Sequence, residues 1–112
     1  MKMIQAIIRP SKVEDVKEAL DGAGYTSLTT IEVKGRGRQK GITQMWRGEE
    51  YKVDMLPKVK LELVVPNDKE AEVIELIKKA AHTGNIGDGK IFVLPVEKTI
   101  RIRTGETDGK AL

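Results

Sequence analysis

Apolar and polar residues alternate along several short stretches of this chain. The run over residues 3–9 is apolar and rich in β-forming side chains, and Pro10 ends it. Apolar side chains recur at every second position over 29–34 and again over 59–65, where Pro66 ends the pattern. We therefore expect three strands there, the second and third with one buried face.

Two other stretches have the period of amphipathic helices. The apolar positions of the first are Val13, Val16, Ala19 and Leu20, and those of the second are Ala71, Val73, Ile74, Ile77, Ala80 and Ala81. Ser11 followed by Glu14 matches the capping box, which predicts Ser11 as the N-cap of the first helix. Asn67 followed by Glu70 predicts the same role for Asn67 at the second helix.

The last part of the chain adds a strand over 90–96, in which Pro95 indicates a sheet edge or a break, and a short final strand over 99–103. The order of elements is therefore β-α-β-β-α-β. This order predicts a ferredoxin-like α+β fold, an antiparallel sheet with both helices on one face. We expect one domain over residues 1–112.

The link between the second and third strands is unusually long. It covers about twenty residues, 37–57, where a hairpin loop normally has about two to five. It contains Trp46, Arg47 and Tyr51, and an exposed aromatic beside an arginine is typical of a segment that docks onto another protein. The alternative is that Trp46 folds back onto its own domain.

Composition and charge exclude several classes of protein. The chain is 39% apolar and 33% charged, as in soluble globular domains, and without cysteine it has neither disulfides nor thiolate metal sites. No signal peptide and no membrane-spanning stretch is evident, so we expect a cytoplasmic protein. The core must be aliphatic, since the chain has only one Trp, one Phe and two Tyr, and such a small core favours a homo-oligomer.

The chain has 20 basic and 17 acidic residues, so its net charge is only mildly positive, at +3. Zinc-finger spacing, an aromatic RNA-binding strand and a recognition-helix pattern are all lacking in the sequence, so we do not expect nucleic-acid binding. An RNA-binding ferredoxin-like module is kept only as an alternative hypothesis.

Glycines and cations occur together in three segments, 34–41, 83–90 and 101–105. Glycine allows backbone amides to approach a ligand closely, and lysine or arginine adds charge and donors. Three such segments predict a bound polyanion, in particular a nucleoside phosphate. The alternative is that the glycines form ordinary turns and the cations are solvated.

The segment from Gly84 to Lys90 has the G-x-x-x-x-G-K spacing of a P-loop, but Ile91 replaces the required Ser or Thr. The predicted context is also reversed, because a helix enters and a strand leaves. We therefore expect a phosphate cradle made by the amides of Gly87 and Gly89 with the Lys90 ammonium group, and not a P-loop NTPase.

Arg101 and Arg103, two apart on the predicted final strand, would project from the same face and hold an anion between them. The alternative is that they pair with nearby Glu97, Glu106 or Asp108.

His82 is the only histidine. It would be a phosphoryl acceptor in a small ferredoxin-like phosphotransferase, or simply a helix C-terminal cap. Since no catalytic set surrounds it in the sequence, binding without catalysis is the preferred interpretation.

Four runs together resemble the PII signal-transduction family, which reports nitrogen status. They are 34–41 (KGRGRQKG), 51–60 (YKVDMLPKVK), 83–91 (TGNIGDGKI) and 100–106 (IRIRTGE), in the family's order and spacing. The resemblance extends over essentially the whole chain. It implies a homotrimer whose three inter-subunit clefts bind ATP or ADP.

The resemblance also implies which residues bind the effectors. The expected nucleotide site comprises Thr29, Gly37, Arg38, Gln39, Glu62, Val64, Gly87, Asp88, Gly89, Lys90, Arg101 and Arg103. The two arginines would come from a neighbouring subunit. Gln39 would give the protein ligand of Mg²⁺, and 2-oxoglutarate would contact Gln39, Lys58 and Gly87. A phosphate loop at 82–90 and a C-terminal loop at 102–112 are expected.

The long link would be the family's T-loop. Arg47 matches the arginine that enters the cytoplasmic exit of an ammonium transporter in some relatives, with Trp46 beside it. Tyr51 matches a tyrosine that some relatives have uridylylated. Glutamine synthetase and nitrogenase regulators are other possible partners, and recruitment to the membrane would occur through the transporter.

Overall fold

The computed structural model describes residues 1–37, 42–46, 49–53 and 55–112, the second and third of these ranges by their backbone only. Its main elements, in chain order, are β1 (Lys2–Ile8), α1 (Val13–Gly22), β2 (Thr29–Gly35), β3 (Ile42–Trp46), β4 (Glu49–Val53), β5 (Leu56–Val65), α2 (Glu70–Ala81) and β6 (Lys90–Pro95). Short 3₁₀ helices at Pro10–Lys12 and Asn67–Lys69 lead into α1 and α2, and another covers Asp108–Ala111.

The main sheet has the strand order β2-β5-β1-β6, and each neighbouring pair is antiparallel. With both helices, this sheet gives the ferredoxin-like α+β fold, as the order of elements predicted. β6 is an edge strand and ends at Pro95, which confirms the interpretation of that proline. The first and last strands of the sheet are therefore neighbours, since β1 pairs with β6 on one side and with β5 on the other.

The core lies between one face of the sheet and the two helices. Its buried side chains are Ile4, Ala6, Ile8, Val16, Leu20, Leu61, Leu63, Val65, Val73, Ile77 and Ala81. All of them are aliphatic, as the scarcity of aromatics required. Outside the core, the Tyr25 hydroxyl donates to the Glu72 carboxylate at 2.7 Å and joins the end of α1 to α2. Of the helices described, none is both long and apolar enough to cross a lipid bilayer.

The predicted helix N-caps are wrong. Ser11 and Asn67 each lie inside a 3₁₀ helix, and neither side chain caps the α-helix that follows. A backbone carbonyl satisfies the first amides instead, since the N–H of Lys12 donates to the Arg9 carbonyl at 3.0 Å. The second 3₁₀ helix is closed in the same way. Both follow a strand and include or follow a proline, so a tight turn precedes the α-helix.

The face of β2 that was expected to be buried is largely exposed. In a single chain both helices cover the opposite face of the sheet, so Ile31 remains 43% exposed. Phe92 and Leu94 of β6 lie on the same open face and are 48% and 39% exposed. An apolar sheet face of this kind is typical of a surface that another protein chain covers.

The link between β2 and β5 contains its own two-stranded sheet. β3 and β4 pair antiparallel, from Ile42 opposite Val53 to Trp46 opposite Glu49. The sequence predicted an irregular loop because it lacks the alternating apolar pattern of a core strand here. β2 and β5 are themselves neighbours, so this hairpin is inserted between two paired strands.

The predicted strand over 99–103 is wrong. Only Ile100 pairs, through a single bridge to Thr107, and the chain then turns. The N–H of Gly105 donates to the Arg101 carbonyl at 2.8 Å, with Gly105 at a φ of +73°. Glycine adopts this left-handed conformation at little cost, so the chain reverses where the alternation suggested a longer strand.

Candidate functional site

The turn over residues 83–89 joins α2 to β6, so a helix enters and a strand leaves, as expected. Three of its glycines have positive φ: Gly84 at 91°, Gly87 at 106° and Gly89 at 103°. Such a backbone can point successive amides in one direction, and this arrangement forms concave anion-binding sites in many proteins. Lys90 follows directly and is exposed.

Asp88 organises this turn from within. Its carboxylate accepts hydrogen bonds from the Thr83 amide at 2.8 Å, the Gly84 amide at 2.9 Å and the Thr83 hydroxyl. Nε of Arg9 lies 3.1 Å from the same carboxylate. The Thr83 hydroxyl above all, together with these amides and Arg9, holds the pKa of Asp88 well below its ordinary value. Asp88 is therefore an ionised support of the turn.

Two cations fasten the turn to the sheet. Nη2 of Arg9 donates to the Ile86 carbonyl at 2.9 Å, and Nζ of Lys58 donates to the Gly87 carbonyl at 2.8 Å. Burial, and secondly the charge of Arg9, lower the pKa of Lys58. Lys58 lies near the start of β5, opposite Val33 of β2. It therefore connects the turn to the point where the inserted hairpin leaves the sheet.

Sequence reasoning missed Arg9. Its position immediately after the first apolar run gave no sign of a partner 79 residues further along the chain. The antiparallel pairing of β1 with both β5 and β6 is what places Arg9 beside Lys58 and the turn. Only the register of these strands would have revealed it.

A second concave region has a volume of about 430 Å³. It is lined by Met3, Thr26, Ser27, Leu28, Thr29, Glu62, Leu63 and Val64. Glu62 accepts a hydrogen bond from Nε2 of Gln5 at 2.9 Å and lies 3.5 Å from Nζ of Lys60. The mixture of aliphatic side chains, hydroxyls and a fixed carboxylate suits a ligand with an apolar ring and polar substituents.

The C-terminal turn carries the two predicted arginines. Nη1 of Arg101 lies 3.2 Å from the Glu106 carboxylate, and its Nη2 donates to the Leu112 carbonyl at 3.4 Å. Arg103 is exposed. The expectation that both project from one face of a strand is therefore wrong, because they belong to a turn. Within one chain, Arg101 forms an ion pair with Glu106, which is the alternative that the sequence analysis left open.

Comparison with known proteins identifies the family. The family model "Nitrogen regulatory protein P-II" matches residues 1–106. The chain is 57% identical to nitrogen regulatory protein P-II of Azospirillum brasilense and 54% identical to nitrogen regulatory protein GlnK of Escherichia coli K12. Each alignment covers 112 residues, 100% of both proteins. The chain belongs to the PII family. Nitrogen regulatory protein P-II 1 of Escherichia coli K12 is a further relative, at 57% identity.

The names of these PII relatives are those of regulators, which favours the binding interpretation over the phosphotransferase that would use His82. His82 is the C-terminal cap residue of α2, and its own N–H donates to the Lys78 carbonyl at 3.1 Å. Within the described ranges, no side chain hydrogen-bonds its imidazole ring. His82 therefore occupies the helix C-terminal position that the capping alternative predicts.

The structure brings together some of the residues that the PII resemblance singled out. Gly87, Asp88 and Gly89 lie on the turn, Lys90 follows it directly, and Lys58 is bonded to the turn. Thr29, Glu62 and Val64 line the cavity of about 430 Å³.

The other predicted residues are not part of either group. Gly37 is exposed just beyond β2, while Arg38, Gln39 and Arg47 lie outside the described residues. Trp46 and Tyr51 belong to β3 and β4, which are described by their backbone only, and their roles stay predictions.

Proposed function

We propose that this PII protein is a sensor of nitrogen and energy status. It binds ATP or ADP, together with Mg²⁺ and 2-oxoglutarate, and regulates an ammonium transporter through its T-loop, residues 37–57. The observation that carries the proposal is the hydrogen bond between Lys58 and the Gly87 carbonyl, because it joins a phosphate-type turn to the base of the inserted hairpin.

The phosphates of the nucleotide are assigned to the turn. The positive φ angles of Gly87 and Gly89 and the exposed Lys90 supply the donors and charge that a polyphosphate requires. Gly37 and Arg38, which follow β2 in the sequence, are assigned to the same phosphates by the family pattern. The base and sugar are assigned to Thr29, Glu62 and Val64, whose cavity combines apolar and polar groups.

The complete site is assigned to two subunits of a homotrimer. The apolar open face of the sheet, with Ile31 and Phe92 about half exposed, supports burial against other copies of the chain. Arg101 and Arg103 of one subunit would then face the phosphates bound by the next. A phosphate there would replace Glu106 as the partner of Arg101, because the Arg101–Glu106 ion pair, at 3.2 Å, is partly exposed and therefore weak.

Mg²⁺ and 2-oxoglutarate are assigned beside the phosphates. The described residues contain no group of three side chains suited to hold a metal ion, so phosphate oxygens would supply most of the ligands. Mg²⁺ is commonly bound in this way, and the amide oxygen of Gln39 would add one protein ligand. Lys58 is already beside Gly87 and would bind a carboxylate of 2-oxoglutarate.

We expect the T-loop to respond because ligand-binding residues are assigned to both of its ends. Gln39 lies near one end and Lys58 near the other, so a ligand that contacts both favours some conformations of the loop over others. Such coupling is worth about 1–3 kcal/mol in typical allosteric proteins. Trp46 and Arg47 would contact the transporter, and Tyr51 is a candidate for modification. Glutamine synthetase or a nitrogenase regulator would be alternative targets.

Calorimetry with ATP, Mg²⁺ and 2-oxoglutarate tests the proposal. We expect ATP to bind alone and 2-oxoglutarate to bind only when ATP and Mg²⁺ are present. Lys58→Gln should abolish the second binding event and leave the first, while Lys34→Gln, an exposed lysine of β2, should change neither. A pull-down with an ammonium transporter should lose the complex when all three ligands are added. Failure of the protein to bind any adenine nucleotide would refute the proposal.

A further inference from the structure

A cavity of about 320 Å³ lies between the C-terminal half of α2, the end of β1 and the start of β6, and its rim includes Asp88, Gly89 and Lys90 of the region assigned to the nucleotide phosphates. It shares no lining residue with the cavity around Thr29 and Glu62. Its volume is near the lower limit of roughly 300 Å³ for small-molecule sites. The proposed nucleotide and 2-oxoglutarate sites leave its interior unused.

The inner wall of this cavity is aliphatic. It consists of Ile8, Ile74, Ile77, Ala81 and Ile91. Ile8 and Ile77 belong to the buried core, whereas Ile74 and Ile91 are half-buried. A wall without donors or acceptors favours a short saturated hydrocarbon and disfavours a charged or strongly hydrated group.

The rim of the cavity carries the positive charges of Lys78 and Lys90. His82 also lines it, and Asp88 is the one carboxylate among its lining residues. The Asp88 carboxylate is already occupied by hydrogen bonds from Thr83 and Gly84 and by its ion pair with Arg9, so its charge is compensated.

Lys78 is available for a ligand. It pairs with Glu75 at 3.1 Å, but its side chain is 64% exposed and that of Glu75 is 57% exposed. Exposed pairs three residues apart on a helix contribute little free energy, so a ligand anion can replace Glu75 on this lysine.

We propose that this cavity binds a small aliphatic monocarboxylate. The hydrocarbon tail lies against the isoleucines, and the carboxylate lies at the rim beside Lys78 and Lys90. A dicarboxylate such as 2-oxoglutarate is excluded, because its second charge would have to enter the aliphatic interior. The site is therefore distinct in chemistry from the effector site beside Lys58.

Methyl NMR of the full-length, nucleotide-free protein provides the test. Four of the lining residues are isoleucines, so labelled isoleucine δ1-methyl groups report directly on the cavity. Titration with hexanoate should shift the signals of Ile8, Ile74, Ile77 and Ile91 saturably. Signals of Ile31 and Ile102, which are exposed elsewhere, should not move. Hexan-1-ol and 2-oxoglutarate should each bind more weakly than hexanoate.

Two neighbouring lysines of α2 supply a matched pair of variants. Lys78→Gln should weaken hexanoate binding about two- to fivefold, the effect of losing one exposed charge contact. Lys79→Gln makes the same change of charge one position away, outside the cavity lining, and should leave the affinity unchanged. Ile74→Phe should fill the opening and abolish the shifts.

Absence of saturable shifts would overturn the proposal, as would equal binding of hexan-1-ol or equal effects of the two lysine variants. ATP calorimetry on the same samples separates the two proposals. ATP binding without hexanoate binding refutes only the carboxylate site, whereas hexanoate binding without ATP binding refutes only the sensor function.

Discussion

Gly89 lies against the backbone of Ile7 so closely that a side chain could not replace its hydrogen atom. A Cβ on Gly89 would overlap the Ile7 carbonyl oxygen and lie 2.8 Å from the carbonyl carbon, both of them rigid backbone atoms. Gly89 also has a φ of +103°. The close approach of β1 and the positive φ are therefore two separate reasons for glycine at this position.

Gly84→Ala and Gly89→Ala separate these two reasons. Gly84 has a φ of +91° but open surroundings, with His82 Cε1 at 3.7 Å the nearest atom to a Cβ. We expect Gly84→Ala to lower the free energy of unfolding by about 1–2 kcal/mol, the cost of left-handed backbone. Gly89→Ala should cost about 1–3 kcal/mol more, because the overlap with Ile7 forces the turn away from β1.

Urea unfolding of the two variants measures both costs. If Gly84→Ala proved as destabilising as Gly89→Ala, the close contact of Gly89 with Ile7 would add nothing to the cost of the substitution.

Asp88 predicts how stability depends on acid pH. Its folded pKa lies below its ordinary value of 3.8, so the stabilisation is complete well above pH 3.8 and is lost as the pH falls through the lower folded pKa. Asp88→Asn should therefore be less stable than the parent protein at pH 7, and the difference should shrink progressively below pH 3.8. Urea midpoints at several pH values provide the measurement, and a difference independent of pH would contradict the prediction.

Arg103 gives the cleaner test of the proposed nucleotide site between subunits. Arg101 also supports the C-terminal turn through Glu106, so its loss would change structure and binding together, whereas Arg103 is simply exposed. Arg103→Ala should weaken ATP binding about tenfold or more, because a charge-assisted contact is worth about 1.5–3 kcal/mol. Lys98→Ala removes an exposed cation nearby and serves as the control. An unchanged ATP titration of Arg103→Ala would remove this residue from the site.

The open face of the sheet predicts the oligomeric state. Ile31→Glu places a charge on this face and should convert the proposed trimer to monomer, which light scattering after size-exclusion chromatography would detect. Thr30→Glu is the matched control, because Thr30 is the exposed neighbour on the other face of β2 and should leave the assembly intact. A parent protein that is already monomeric would contradict the prediction.

The sequence contained most of the fold because the core elements obey simple periodicities. Alternation in β5 and the helical spacing in α2 correspond directly to the buried Leu61, Leu63, Val73 and Ile77. Local termini were harder to predict, since the backbone carbonyl of Arg9 does what the Ser11 hydroxyl was expected to do. The alternation in β2 did not reveal that the face carrying Ile31 is exposed, because an apolar strand face has the same sequence pattern whether or not the helices of its own chain cover it.

The candidate site was predictable as a set of chemical groups but not as an arrangement. Glycines and cations indicated the turn, and Lys58 entered only through the family resemblance. The roles of Arg9 and Asp88 depend on strand register and on a compact hydrogen-bonded turn, and neither is visible in residue spacing. Arg101 shows the opposite error, because a short final strand was predicted over 99–103 where Gly105 reverses the chain.

The pairing of Gly35 with Leu56 has a consequence for how such proteins diversify. These two residues close the ladder between β2 and β5, so the intervening hairpin begins and ends at adjacent points of a rigid frame. The β3–β4 hairpin over 42–53 can therefore be exchanged as a unit, while the sheet and the residues assigned to the ligands stay as they are. A graft of this hairpin from a relative would leave the core intact and would show whether the hairpin carries the choice of target.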